Sequence, residues 1–189
     1  MPLSKPVKRH SHHRRTINCD AFLREDNLWD IEARMIDVKA HNVDNEERGG
    51  YIPAGEAFHD ISIRVTIDIN FLIKHVEASI DASPFKMCNR ITNAFKKLEG
   101  TRIGPGWHQQ SRKLVGGVSG CTHINELLPV VATTAIQAIW PSREGDVLEG
   151  GAGIMLNTCH TWAQNSEVVE KYLPQYYREN NIIAKEQGK

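Results

Sequence analysis

The segment from Gly116 to His123 places a thiol and an imidazole, those of Cys121 and His123, two residues apart at a predicted helix start. Thiolates and imidazoles are the ligands that zinc and iron favour in proteins. Unpaired amides at a helix N-terminus also stabilise the thiolate form of a cysteine. The motif therefore predicts a metal site. The structural alternative is a buried cysteine followed by a histidine that hydrogen-bonds the helix end.

Two more segments each offer one ligand of the same kind. His59 leads into the most regular strand pattern of the chain, and Cys88 falls in the first turn of another predicted helix. We expect His59, Cys88, Cys121 and His123 to bind one Zn or Fe ion. Four protein ligands close a tetrahedral site, so catalysis requires one of them, His123 in this interpretation, to be displaceable.

Two residues near these ligands could move protons. Asp60 follows His59 and could orient a ligand, act as a base, or pair with Arg64 on the outer face of the strand. His160 follows Cys159 and could be a general acid or base, a further ligand, or part of a packed turn.

The strands that position these ligands are visible as period-two alternation. Apolar residues occupy odd positions in residues 17–23, 29–35 and 61–69, and a return strand is predicted to end near residue 80. His59 shares the parity of the isoleucines that follow it, and Asp60 has the opposite parity. This pattern predicts an α+β fold with about four antiparallel strands in the first 80 residues.

Helices are predicted in the second half of the chain, packed on one face of that sheet. Ser83 and Pro84 form a helix start, and Cys88 lies on the apolar stripe that follows. A turn at residues 104–107 and a polar stretch lead to a helix that begins at Cys121 and kinks or restarts at Pro129. The segment from residue 141 to 153 breaks the pattern, and a last helix is predicted over residues 166–177.

Composition limits the classes of partner. The 189 residues carry 23 basic and 23 acidic side chains, so no overall charge favours nucleic acid or an anionic membrane. No apolar run is long enough to span a bilayer and no secretory signal is visible, so we expect a cytosolic protein with four reduced cysteines.

We expect a flexible basic arm over residues 1–15 and one domain over residues 16–189. We also expect a small-molecule partner, and a monomer or homodimer.

Residues 55–140 resemble the iron–sulfur scaffold fold of the NifU N-terminal and SufE-like group. His59 with Asp60, Cys88, and Gly120 with Cys121 stand where that fold carries its ligands. The resemblance implies a metal-binding core in an antiparallel sheet with packed helices. His59 replaces a cysteine of the scaffold, which favours a single ion over an iron–sulfur cluster.

Four further motifs also look like a bacterial family catalogued only as a domain of unknown function. They are Leu28-Trp29-Asp30-Ile31-Glu32, Ala54-Gly55-Glu56, Gly106-Trp107 and Gly120-Cys121-Thr122-His123. We expect a metal-dependent enzyme that uses Lewis-acid or activated-water chemistry on a small organic molecule. The alternatives are a metal, iron–sulfur or sulfur carrier, and a binding protein with structural zinc.

Overall fold

A four-stranded antiparallel sheet is the main feature of the computed structural model, which describes residues 3–140 and 155–179. Its strands are β1 (His13–Leu23), β2 (Trp29–Lys39), β5 (Ala57–Ile67) and β6 (Ile73–Ala82), in the order β1-β2-β5-β6. A short hairpin of β3 (Val43–Asn45) and β4 (Gly50–Ile52) lies between β2 and β5 in the chain, where the sequence indicates only a loop. The predicted α+β class and the four-stranded antiparallel sheet are confirmed.

One face of this sheet is apolar because the period-two pattern directs alternate side chains to it. Along β2 and β5 the odd-numbered positions are buried, and we call this the inner face. The buried odd-numbered residues are Trp29, Ile31, Ala33, Met35, Asp37, Ile61, Ile63, Val65 and Ile67. β5 ends at Ile67, so Ile69, which the sequence pattern places in this strand, lies beyond its end. The side chain of Asp68 accepts hydrogen bonds from the amides of Asn70 and Leu72 and starts the turn to β6.

The helix predicted from Ser83 is a 3₁₀ helix that begins later, at Lys86, and ends at Leu98. Phe95 and Leu98 are its buried residues. Cys88 is half-buried in the first turn, and its N–H donates to the carbonyl of Phe85 at 3.1 Å. The apolar stripe is therefore buried at its C-terminal end, where the N–H of Gly100 donates to the carbonyl of Ile73 on β6. It is only partly buried near Cys88.

Two α-helices follow. α1 (Trp107–Val115) occupies the stretch that the sequence indicates only as polar. α2 (Thr122–Ile139) starts one residue after Cys121 and continues through Pro129 as one helix, so it does not restart there. Its buried residues are Ile124, Leu127, Leu128, Val131, Ala135 and Ile139, close to the stripe that the sequence predicts.

The chain divides into two compact units, Met1–Ala138 and Ile139–Lys189. In the second unit, α3 (Glu167–Tyr172) and the 3₁₀ helix Pro174–Tyr176 fall within the last predicted helix. Val169 and Leu173 form its small core. The predicted break over residues 141–153 lies outside the described residues. None of the described helices combines the length and apolar character needed to cross a membrane.

Candidate metal centre

Three neighbouring strands bring Arg15, Asp37 and His59 into one row across the sheet. Arg15 on β1 faces Asp37 on β2, and Asp37 faces His59 on β5. Each of the three has the odd parity of the inner face, so the row continues the apolar surface at one end of the sheet. The β2–β5 register shifts between Asp37 and Val38, because the pairing moves from His59 to Ala57 there. β-Bulges of this kind are common beside functional sites.

Asp37 is a fully buried carboxylate with charged partners. Its side chain is 1% exposed, and Arg15 donates to both of its oxygens, from Nε and Nη2, at 2.8 Å each. His13 Nε2 lies 3.3 Å from Oδ1. Burial alone would raise the pKa of Asp37, but hydrogen bonds from Arg15 and His59 outweigh it and lower the pKa to about 2. Asp37 is therefore ionised at neutral pH.

His59 lies between this carboxylate and α2. Its Nδ1 is 3.0 Å from Asp37 Oδ2, and its side chain is mostly buried. Burial is the largest influence on His59 and lowers its pKa, while the hydrogen bond with Asp37 acts in the opposite direction; the net shift is downward. The ring is therefore neutral near pH 7, and its unprotonated nitrogen has a lone pair that can bind a metal ion.

The start of α2 supplies the second imidazole. Cys121 occupies the N-cap position, since its carbonyl accepts the first helical hydrogen bond from the N–H of Asn125 at 2.9 Å. His123 therefore lies in the first turn, and its ring stacks against His59 with the centroids 3.9 Å apart and the planes tilted by 38°. Glu126, one turn later, forms an ion pair with Arg15. The helix start and the strand row meet at this point.

Asp37, His59 and His123 each offer one ligand atom, and these atoms all lie within 4.8 Å of one another. In the described parts of the chain, this is the one such group of three or more histidine, cysteine or acidic residues. Two atoms bound to one ion at about 2.1 Å lie about 3.0 Å apart at a right angle and about 4.2 Å apart when opposite. The 3.0 Å hydrogen bond between His59 Nδ1 and Asp37 Oδ2 matches the first value, so an ion bound by these two atoms would take the place of the proton that they share.

The two predicted cysteine ligands lie outside this group. Cys121 is adjacent to it, with its Sγ 4.0 Å from His123 Nδ1. An ion that binds that nitrogen at about 2.1 Å and sulfur at about 2.3 Å can span this distance. Cys88, at the start of its 3₁₀ helix, is not among the grouped ligands. The roles of both cysteines stay predictions.

The two predicted proton-transfer residues lie elsewhere. Asp60 has the opposite parity to His59 and points to the outer face, where Arg34 binds both of its oxygens at 2.8 and 2.6 Å. The partner expected for Asp60, Arg64, instead pairs with two glutamates, Glu32 and Glu77. His160 is exposed in the second unit, and its carbonyl accepts from the N–H of Ala163. The catalytic roles of Asp60 and His160 stay predictions.

Asp37, Arg15 and His13 were not predicted as site residues from the sequence. A signal for Asp37 was present, because it continues the odd-numbered apolar positions of β2 beyond Met35. A carboxylate with the parity of a buried face requires a partner, since an unpaired buried charge is strongly destabilising. Arg15 has the same parity on β1, but it was assigned to the flexible arm; β1 begins two residues before it, at His13.

A groove of about 560 Å³ lies along α1 and α2, and its lining includes Thr122, the neighbour of His123 in the chain. Arg112, His108 and Asn125 contribute polar side chains to its wall, and Gly116 and Gly117 also line it. Glu126 also lines the groove and forms the ion pair with Arg15 described above. The groove therefore connects to the buried carboxylate through one pair of charged side chains.

Comparison with known proteins identifies one family. The family described as "Protein of unknown function (DUF2889)" matches residues 13–137, which include the whole sheet and nearly all of α2. The chain belongs to this family. No curated protein and no solved structure matches the chain. It stays a prediction that the Gly-Cys-Thr-His motif is a signature of this family. The resemblance to the NifU and SufE-like scaffold also stays a prediction.

Proposed function

We propose that this protein is a metal-dependent enzyme in which Asp37, His59 and His123 hold a Zn or Fe ion. The observation that carries the proposal is the approach of their three ligand atoms to within 4.8 Å of one another. The residues come from two strands and a helix that are distant in sequence. A carboxylate with two imidazoles is a donor set of catalytic zinc sites and of non-haem iron enzymes.

The protonation states support the same interpretation. Metal ligands must be deprotonated, which for these residues means an ionised carboxylate and neutral imidazoles. The pKa of Asp37 is lowered to about 2 and that of His59 is lowered by burial, so both residues are in the required form near pH 7. Arg15 holds Asp37 in place, and the pair with Glu126 offsets the positive charge of Arg15.

Three protein ligands leave positions for water and substrate. A Zn or Fe ion in such a site supplies a Lewis acid that polarises a carbonyl or lowers the pKa of bound water. Cys121 can add a fourth bond through its sulfur. Because Cys121 lies outside the grouped atoms, we propose that it, rather than His123, would be the displaceable fourth ligand.

The groove along α1 and α2 supports a small organic molecule as substrate. Its volume of about 560 Å³ falls in the ordinary range for ligand pockets. Arg112 and His108 on its wall favour a substrate with an anionic or strongly polar group. A cytosolic location is part of this proposal and depends on composition alone.

A carrier or assembly protein for metal or sulfur is the second candidate. One observation favours it: the free thiol of Cys121 occupies the N-cap of α2 beside His123. The resemblance to the NifU and SufE-like scaffold adds to this candidate. A carrier is expected to transfer its metal or sulfur to an acceptor, whereas the enzyme is expected to keep its ion through many turnovers.

Metal analysis of untagged protein tests the metal centre. We expect one equivalent of Zn or Fe per chain in the wild type and in the control variant His108→Ala, which changes an exposed histidine outside the centre. His123→Ala should bind the metal at least about tenfold more weakly and lose it to a chelator that leaves the wild type loaded, because it lacks one ligand. Equal metal content in all three proteins, or none in the wild type, would overturn the proposal.

A panel of small esters, lactones and amides tests the enzymatic part. Metal-loaded protein should hydrolyse at least one substrate class faster than metal-free protein. Loss of that rate in His123→Ala supports the enzyme. Equal rates with and without metal, combined with transfer of the ion to a competing apoprotein, support the carrier instead.

A further inference from the structure

β1 forms one edge of the sheet, and in residues 3–140 and 155–179 its outer side pairs with no strand. The strand is 11 residues long and pairs with β2 at every position without a bulge. Its unpaired N–H and C=O groups form a template for another strand, and proteins usually protect such edges with bulges, prolines or charges. From Thr16 to Leu23, β1 has no proline and one charged residue, Asp20.

Large apolar side chains are exposed along this edge. Ile17 is 37% exposed, Phe22 is 49% exposed and Leu23 is 61% exposed. These residues lie on both faces of the strand, because Ile17 and Leu23 are odd-numbered and Phe22 is even-numbered. A partner that adds a strand here covers all three side chains, whereas a partner that packs on one face of the sheet does not.

We propose that a second copy of this chain pairs with β1 in antiparallel orientation, so that two four-stranded sheets join across a twofold axis at Asn18. Asn18 is the midpoint of His13–Leu23, so this register uses the whole length of both strands. The proposal goes beyond the metal centre and does not depend on it.

The hydrogen-bond pattern of β1 fits this register. Just beyond the two ends of β1, the N–H of Ala40 donates to the carbonyl of His12 and the N–H of Arg24 donates to the carbonyl of Leu28. Even-numbered positions therefore bond to β2, and odd-numbered positions direct their N–H and C=O groups outward. About an axis at Asn18, odd positions meet odd positions, with Ile17 opposite the second copy's Cys19. All the outward backbone groups then find partners.

Charge complementarity favours a second copy as the occupant. The first three residues of β1 are His13, Arg14 and Arg15, whereas the acidic residue, Asp20, lies in its second half. Antiparallel pairing places Arg14 opposite Phe22 of the second copy and diagonal to its Asp20, within reach of a cross-strand pair. A parallel arrangement would instead place the basic ends of the two strands side by side.

The pairing also covers the edge of the metal centre. Ala21 and Leu23 of the second copy lie opposite Arg15 and His13, the two residues that contact Asp37 from β1. The side chains of Arg15 and His13 are 32% and 35% exposed in the single chain. The dimer therefore reduces the access of water to the partners of the buried carboxylate.

Light scattering after size-exclusion chromatography tests the dimer. We expect a mass of twice 21.3 kDa for the wild type. Ile17→Lys, which places a charge in the interface, should weaken association at least tenfold. Ile69→Lys is a matched control, because Ile69 is 39% exposed and lies outside β1; it should remain dimeric. A monomeric wild type at all concentrations would overturn the proposal.

Cross-linking tests the register without relying on a destabilising variant. Asn18→Cys places two thiols opposite each other at the twofold axis, with Cβ atoms about 5 Å apart, which a disulfide can bridge with a small adjustment. Mild oxidation should give at least ten times more covalent dimer for Asn18→Cys than for Ser79→Cys, an exposed position on β6. Equal cross-linking of the two variants would overturn the register.

Discussion

Asp37 and His59 face each other across β2 and β5, with His59 Nδ1 3.0 Å from Asp37 Oδ2. Each strand reaches this point at the end of an apolar row, so the two polar side chains lie at the border of the core. A helix that starts elsewhere in the chain adds His123 on top of the His59 ring. This convergence of three distant segments defines the candidate metal centre.

Replacement of Asp37 by asparagine tests the role of its charge. Asp37→Asn keeps the shape of the side chain but leaves Arg15 with Glu126 as its remaining ionised partner. We expect the free energy of unfolding to fall by about 1–3 kcal/mol, because hydrogen bonds to charged groups are among the stronger ones. Metal affinity should fall at least about tenfold. Chemical denaturation and metal titration measure the two effects.

The matched control for that change is Asp44→Asn, which alters an exposed aspartate on β3. It should change both quantities little. If Asp37→Asn binds metal as tightly as the wild type, Asp37 is neither a ligand nor a positioning residue for His59.

Serine substitutions separate the two cysteines that the sequence predicts as ligands. With Co²⁺ in place of the native ion, a sulfur ligand gives a charge-transfer band in the near ultraviolet. We expect Cys121→Ser to remove this band and to weaken binding about tenfold, because its sulfur is 4.0 Å from His123 Nδ1. Cys88→Ser should retain both properties. Loss of the band in Cys88→Ser would instead support the four-ligand site predicted from sequence.

Gly120 determines how closely the chain approaches α1 before α2 begins. A Cβ atom at this position would lie 1.9 Å from the carbonyl oxygen of Val115, which also accepts a hydrogen bond from Asn125. We expect Gly120→Ala to lower the free energy of unfolding by at least about 1–3 kcal/mol, as overpacking does. It should also weaken metal binding, because Cys121 and His123 follow directly.

Gly104→Ala is the control for that variant, because a Cβ atom there meets no atom within 4 Å. Denaturant unfolding of both proteins measures the difference. Equal stability of the two variants would show that the backbone near Gly120 moves easily and does not constrain the start of α2.

Ionisation of Asp68, in the turn after β5, should make the stability of the fold depend on pH independently of the metal centre. Burial would raise the pKa of Asp68, but hydrogen bonds from the Leu72 amide, Lys74 and the Asn70 amide outweigh it, so the pKa lies below its ordinary 3.8. A lowered pKa in the folded state stabilises the fold above about pH 4, and this contribution is lost as the pH falls through the folded value. Asp68→Asn should therefore show a smaller loss of stability between pH 7 and pH 3 than the wild type.

The uncharged variant should also be less stable at pH 7 by about 0.2–1 kcal/mol, because its amide oxygen still accepts from the two backbone amides but no longer pairs as an ion with Lys74. Unfolding by denaturant at a series of pH values measures both effects. If Asp68→Asn and the wild type lose the same stability on acidification, the charge of Asp68 does not stabilise the turn.

Local periodicity made the strands and the start of α2 predictable. Alternation of apolar residues identified β2 and β5, and it placed His59 on the inner face, because side chains alternate strictly along a strand. The glycine-rich segment followed by an apolar stripe located the start of α2 beside Cys121. α1 was missed because its apolar residues are too few to stand out, although Trp107 and Val115 are buried.

The sequence by itself determined which residue types face the core, since each strand and helix imposes its own period on its side chains. Only the tertiary structure decided which of them meet. The pairing of β1 with β2 and of β2 with β5 placed Arg15, Asp37 and His59 in one row, and the approach of α2 added His123. Strand register and helix placement depend on contacts between segments far apart in the chain, and a local pattern does not contain them.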